Sequence, residues 1–179
     1  LSSSLIAQMR IFTNPVDSSR VHLKDTVLLD STVFKERVFF TSATFDNLAI
    51  FEYATFDSEA NFRDATFDSL AYFRGATFNS LAFFVFAKFD SEANFWYAKF
   101  DSEANFWYAK FGSADFRYTE FHSDAIFKEA QFHSTTDFHY AQFHGPADFV
   151  DAIFNSHTNF ESTTFDSLAY FRGATFNSD

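Results

Sequence analysis

Along most of the chain one large apolar residue, Phe, returns at spacings that alternate between six and five, from Phe34, Phe40, Phe45, Phe51 and Phe56 through to Phe165, Phe171 and Phe176. Twenty-seven of the 31 Phe belong to this series, and two positions before each stands a small residue: Ala in 21 cases, Thr in five and Val38 in one. The unit is therefore 11 residues long and reads A-x-F-x-x-A-x-F-D-S-x. Residues 90–100 and 101–111 are both DSEANFWYAKF, and FDSLAYFRGATFNS occurs at 67–80 and again at 165–178, which indicates tandem duplication.

A period of this length also suits a right-handed helical coil at about 3.67 residues per turn. On a helix, however, steps of five and six would set successive Phe roughly 140° and 240° apart and split them into two stripes. Asp-Ser, Thr and Asn also recur where a helix wants strong formers and where turns want short polar side chains. In A-x-F the Ala and Phe alternate with an outward residue, the period-two signature of a very short strand with one buried face. Two or three polar residues between tripeptides suffice for a corner but not for a hairpin or a helical crossover. The chain must keep turning the same way and stack coil on coil.

This pattern resembles the pentapeptide-repeat proteins, whose A-(D/N)-(L/F)-x-x units carry the same small-x-large core. The resemblance covers roughly residues 21–179. It implies an all-β fold, a right-handed quadrilateral parallel β-helix (a solenoid) with the central Phe and the preceding small residue inside. This chain departs from the family by one extra residue in every second unit, so a four-sided coil takes about 22 residues and alternate corners are wider. Four columns then run Phe62, Phe84, Phe106; Phe67, Phe89, Phe111; Phe73, Phe95; and Phe78, Phe100. Between Phe111 and Phe116 the spacing is five where six is due, giving one coil of 21 residues, with Gly112 where Asp is usual. We read this as a tighter corner that needs a permissive backbone. From Val21 onward roughly seven coils, at ~4.8 Å each, make a rod of roughly 34 Å. Residues 1–20 break the pattern and are expected to form an N-terminal capping segment, with Leu5, Ile6, Met9, Ile11 and Phe12 as an apolar lid on the first coil. The other end is expected to be open.

The formal net charge of −11 disfavours nucleic acid and anionic lipid as partners, since both are polyanions. No stretch approaches the ~18 apolar residues of a membrane span. Without Cys there is neither a disulfide framework nor a thiolate site. Asp or Asn follows the Phe of alternate units (Asp46, Asp57, Asp68, Asn79, Asp90, Asp101) and is read as a corner former bonding its own backbone. His122, His133 and His144 take the same corner position, and His122 and His144 fall one coil apart with no third ligand type beside them, so no metal or cofactor is expected. Nucleophile elbow, phosphate-cradling loop and H-E-x-x-H are all absent, so the reading is not an enzyme.

The candidate site lies in the outward aromatics. Phe83, Val85, Phe86, Trp107 and Tyr108 are expected to form an apolar patch across two coils, and Tyr97, Tyr118 and Tyr140 to stack one coil apart on the opposite side, beside Trp96. The expected function is a non-catalytic structural or protein-interaction rod that presents side-chain ladders to a protein partner or to a second copy, end to end or side by side. The resemblance implies an alternative, because some pentapeptide-repeat proteins mimic duplex DNA and inhibit or protect type II topoisomerases. DNA carries one charge per ~1.7 Å, roughly 20 over such a rod. The chain's −11 falls short of that and is interrupted by Arg63, Arg74, Lys88, Lys99 and Lys110. Ice binding by outward Thr fails for a similar reason, since Thr44 and Thr66 are followed in their column by Lys88 and Lys110.

Overall fold

The computed structural model describes residues 10–177; Leu5, Ile6 and Met9 of the expected lid lie outside the described residues. Two-residue strands such as Thr44–Phe45, Ala49–Ile50, Thr55–Phe56 and Ala60–Asn61 follow one another around each coil. Each pairs in parallel with the strand one coil on: Thr44 with Thr66, Ala49 with Ala71, Thr55 with Thr77 and Ala60 with Ala82. The result is a four-sided β-solenoid. Two of its faces are unbroken eight-stranded sheets, one strand per coil, so the described chain makes about eight coils. Among the described residues no helix is long and apolar enough to cross a membrane.

The additional coil comes from the segment expected to be a cap. Ile11–Phe12 pairs with Val33–Phe34, Val16–Asp17 with Val38–Phe39, and Phe12 stacks on Phe34 at 5.3 Å. From residue 10 onward the chain is already following the coil path, and Ile11 and Phe12 are one side of it instead of a lid. Leu23 stands over Phe45, where other coils carry Phe, and with Val16, Val27 and Leu29 packs against the end of the core. Apart from Phe12 and Ser18, aliphatic residues line the inside of this coil, so the unbroken Phe series begins one coil later.

Inside the rod, the Phe of each column stack one coil apart, as in Phe62–Phe84 (4.9 Å, 0°) and Phe73–Phe95 (4.9 Å, 4°). Two opposite columns interleave edge to face across the centre, as in Phe73–Phe84 at 5.4 Å and 85°. The flanking Ala are fully buried and let the rings approach. Both geometries suit the aromatic quadrupole, and each pair contributes about 0.5–1.5 kcal/mol beyond the area it buries.

One coil is short. Lys88 and Phe89 pair with Lys110 and Phe111, but Glu92, Ala93 and Asn94 pair with Ser113, Ala114 and Asp115, one residue closer in sequence. The closer pairing persists through Phe100 with Phe121 and Phe111 with Phe132, and the longer one returns at Ala114 with Thr136. At this corner the flanking strands run on as Lys88–Asn94 and Lys110–Asp115. The reason for Gly112 differs from the expected one. Its φ is not in the left-handed region, but a Cβ there would lie 2.6 Å from the Ser91 carbonyl oxygen. Glycine is needed for room, and backbone freedom plays no part.

Corners alternate between two forms. A tight corner places two residues between Phe and the next small residue, as in Phe51-Glu52-Tyr53-Ala54, and closes with Ala54 N–H donating to the Phe51 carbonyl at 3.1 Å. Its second residue has positive φ, as in a type II turn, yet that residue is rarely glycine: Tyr53, Phe86, Tyr97, Tyr108, Tyr118 and Tyr140 all hold φ of 55–57°. Such a conformation costs an L-residue about 1–2 kcal/mol. It is held by the ladder, because the same residue's N–H donates to the corner carbonyl of the next coil (Tyr53 to Arg74, 2.8 Å; Tyr97 to Arg117, 3.0 Å). A wide corner has three residues, most often led by Asp, Asn or His, and none of the described ones has positive φ.

The backbone-bonding role expected of the wide-corner Asp belongs to other residues. Asn61, Asn94, Asn105, Asp115, Asp137 and Asp148, the outward residues before the tight corners, accept from the N–H two positions on. Their side chains point along the turn that follows. Wide-corner side chains such as Asp57 point up and down the rod and bond from coil to coil.

Candidate interaction surfaces

Tight corners fall in two columns on opposite edges. In the first, Tyr97, Tyr118 and Tyr140 stack over three successive coils, with centroids 4.8 and 5.0 Å apart and planes tilted by 24° and 23°. Tyr97 is 52% exposed and Tyr140 43%. The corner residue before each Tyr is Trp96, Arg117 or His139, and Arg74 precedes Gly75 one coil below. These positions stack too: the Arg74 guanidinium lies 4.4 Å and that of Arg117 5.3 Å from the Trp96 ring, so the indole sits between two cations. The Trp96 indole N–H is shielded and has no acceptor, so this ring acts through its faces. Tyr53 covers Gly75, where a Cβ would meet its ring at 2.6 Å.

Arg117 is the hub of this edge. It holds Asp115 through two side-chain bonds of 2.9 and 2.7 Å and approaches Asp137 at 3.8 Å. The hydrogen bond to Asp115, the main cause, holds the guanidinium above even its usual range. Beside it, over the short coil, a shallow depression of about 320 Å³ is lined by Glu92, Ser113, Asp115, Arg117, Thr135 and Asp137. The two arginines were not among the residues singled out from the sequence. The signal was present, since Arg74, Trp96 and Arg117 share one position of successive coils.

The second column is smaller than expected. Phe86 stacks on Tyr108 at 5.2 Å and meets Trp107 at 5.7 Å, with Arg63 6.0 Å from the Phe86 ring. Val85, however, is only 5% exposed: it is hemmed between the corners of Arg63 and Trp107 and offers little surface. Phe83 lies on the neighbouring strand between Asn61 and Asn105, outside this aromatic stack. A hydrogen bond from the Tyr108 hydroxyl to the Glu129 carboxylate raises the phenol's pKa.

Wide corners display charge instead. In one column Lys35 bonds Asp57 at 2.5 Å, Asn79 bonds Asp57 at 2.8 Å, Lys99 lies 3.7 Å from Asp101, and His144 bonds Asp166 at 2.7 Å. In this column amides or imidazoles separate Asp57, Asp101 and Asp166; in the other, Asp46, Asp68 and Asp90 fall on three successive coils, with Lys88 2.8 Å from Asp90.

A family model described as pentapeptide repeats (9 copies) matches residues 19–66, 29–77 and 138–179, together more than half of the chain. The unmatched middle holds the duplicated DSEANFWYAKF units and the short coil, and its ladder is continuous with both flanks. No curated protein and no solved structure matches the chain.

Proposed function

Because the chain belongs to the pentapeptide-repeat proteins, we propose that it is a non-catalytic rod that docks a protein partner along the tight-corner ladder of Tyr97, Tyr118 and Tyr140. The observation that carries this reading is that these rings form one exposed stack over three coils, on a backbone the Phe core keeps rigid. A preorganised aromatic row loses little conformational entropy on binding, and aromatic and Arg side chains dominate the energetics of interfaces. Trp96, gripped by Arg74 and Arg117, buttresses the ladder from one side. The cations and amides bonded to wide-corner carboxylates, Lys35 and Asn79 on Asp57 and Lys88 on Asp90, speak against duplex-DNA mimicry.

The test compares wild type with a Tyr118→Ser, Tyr140→Ser double variant, both immobilised, for retention of a partner that is then purified and titrated. Loss of at least tenfold in affinity in the ladder variant, with Phe86→Ser on the other edge unaffected, is the expected result. Equal binding by all three proteins would overturn the reading. Light scattering on the same proteins separates a second copy from a foreign partner, and inhibition of topoisomerase supercoiling at micromolar protein would favour mimicry instead.

A further inference from the structure

Glu120-Phe121-His122 and Gln142-Phe143-His144 occupy the same positions of adjacent coils, with Glu120 paired to Gln142 and Phe121 to Phe143. Alternation along the strand turns both Phe inward and sends Glu120, His122, Gln142 and His144 to one outer surface. The two imidazoles are neighbours with centroids 4.9 Å apart and planes tilted by 35°, and both are exposed. Each ring is approached on Nδ1 by a carboxylate of the same column: His144 by Asp166 at 2.7 Å and His122 by Asp101 at 3.4 Å, the latter also 3.7 Å from Lys99. An ionised carboxylate can only accept, so the Asp166 contact favours the tautomer of His144 in which Nδ1 donates and Nε2 is the ligating nitrogen, and Asp101 stands on the same nitrogen of His122. This is the arrangement in which outer carboxylates orient histidine ligands of a metal. Glu120 Oε2 lies 3.8 Å from His122 Nε2 and is an oxygen donor on the same side.

We propose that His122 and His144 form a two-imidazole site for a borderline divalent transition-metal ion of the Zn²⁺ class, with Glu120 as an oxygen ligand, Asp101 and Asp166 orienting the rings, and water filling the remaining positions. As placed, no three His, Asp or Glu groups among the described residues converge on one point. Bonds of ~2.0–2.1 Å to both nitrogens require the rings to tip toward each other. Their exposure at the rod surface allows that rotation without disturbing Phe121 or Phe143, which are buried. Asn79, not His, precedes Asp101 in the column and Asp166 follows His144, so two imidazoles stack nowhere else along it. The ion would tie two neighbouring coils together from outside.

Titration of the whole chain with Zn²⁺ in a non-coordinating buffer tests this. One saturable site is expected, lost in His122→Ala and in His144→Ala and weakened roughly 10–100-fold in Asp166→Asn. His133→Ala, at the equivalent corner of the other column beside Asn155, should leave it intact. Bound Zn²⁺ should also raise the melting temperature of wild type and of His133→Ala, but not of the two site variants. Undiminished binding by His122→Ala and His144→Ala, or equal weakening by all three His variants as for adventitious surface binding, would overturn the proposal.

Discussion

At a tight corner two residues turn the chain and the second is driven to positive φ, whereas at a wide corner three residues turn it and none is; the short coil's Gly112-Ser113 corner, in a wide-corner column, has two residues and neither is at positive φ. The extra residue changes what each corner displays. Tight corners aim bulky rings outward in register, giving Tyr97–Tyr118–Tyr140 and Phe86–Tyr108. Wide corners aim their first side chain along the rod, giving coil-to-coil bonds such as Lys35–Asp57 and His144–Asp166. Corner length therefore sets the direction in which a side chain is aimed, while the residue itself decides what is shown: the same tight-corner position holds Tyr97 and Tyr118 but also Arg20, Asp64 and Glu129.

Glycine should separate the two forms most sharply. At the wide corner of Gly145, a Cβ would meet the Ser123 backbone at 2.4 Å, and backbone cannot swing aside. Gly145→Ala is expected to destabilise by about 1–3 kcal/mol, the range for forced overpacking. At the tight corner of Gly75 the obstacle is a φ of +62° and the Tyr53 ring, which can move. Gly75→Ala should cost only about 1 kcal/mol. Urea midpoints of the two variants measure the gap; a larger loss at Gly75 would mean that conformation, not room, limits both corners.

The reverse exchange at a tight corner should cancel in part. Tyr118→Gly relieves a positive-φ Tyr, worth about 1 kcal/mol. It also removes two stacking partners, Tyr97 and Tyr140, each worth about 0.5–1.5 kcal/mol. Net stability should fall by no more than about 2 kcal/mol, while partner affinity falls. Calorimetric melting beside a binding titration checks both halves; a large loss of stability would make the ladder part of the fold and weaken its assignment as a binding surface.

The difference between corners also explains how much could be read from the residues. Phe and Ala are chosen by the core, so the 11-residue unit and the short coil follow from spacing, and the four faces and their columns follow once the resemblance to the pentapeptide-repeat family supplies a four-sided coil. The first coil is hidden because Ser18, Leu23 and Leu29 stand where the next coil has Phe40, Phe45 and Phe51, without changing the path. Positive φ at Tyr97 or Tyr118 leaves no local trace, since the usual sign of that conformation is Gly or Asn; the inter-coil ladder imposes it. Spacing did identify which outward aromatics stack. It could not tell that Val85 is covered or that Phe83 stands apart, because burial at a corner depends on the sizes of side chains one coil above and below.

The smallest expected effect belongs to the charged edge and is the one that responds to acid. Asp57 is held below the usual carboxylate range chiefly by the Lys35 hydrogen bond, with Asn79 adding to it and partial burial opposing. A carboxyl whose folded pKa is depressed contributes stability that is fully present above its unfolded value and is lost as pH falls through the folded one. Lys35 is 52% exposed and Asp57 25%, so solvent screens the pair and it is worth about 0.2–1 kcal/mol. Asp57→Asn should therefore lower the urea midpoint slightly at neutral pH, and the difference from wild type should shrink towards zero near about pH 2. Tyr118→Gly, which removes no group that ionises in that range, should differ from wild type by the same amount at both pH values. If the Asp57→Asn difference were equally constant, the wide-corner ladder would be acting through shape alone, and the contrast between charged and aromatic edges would lose its electrostatic half.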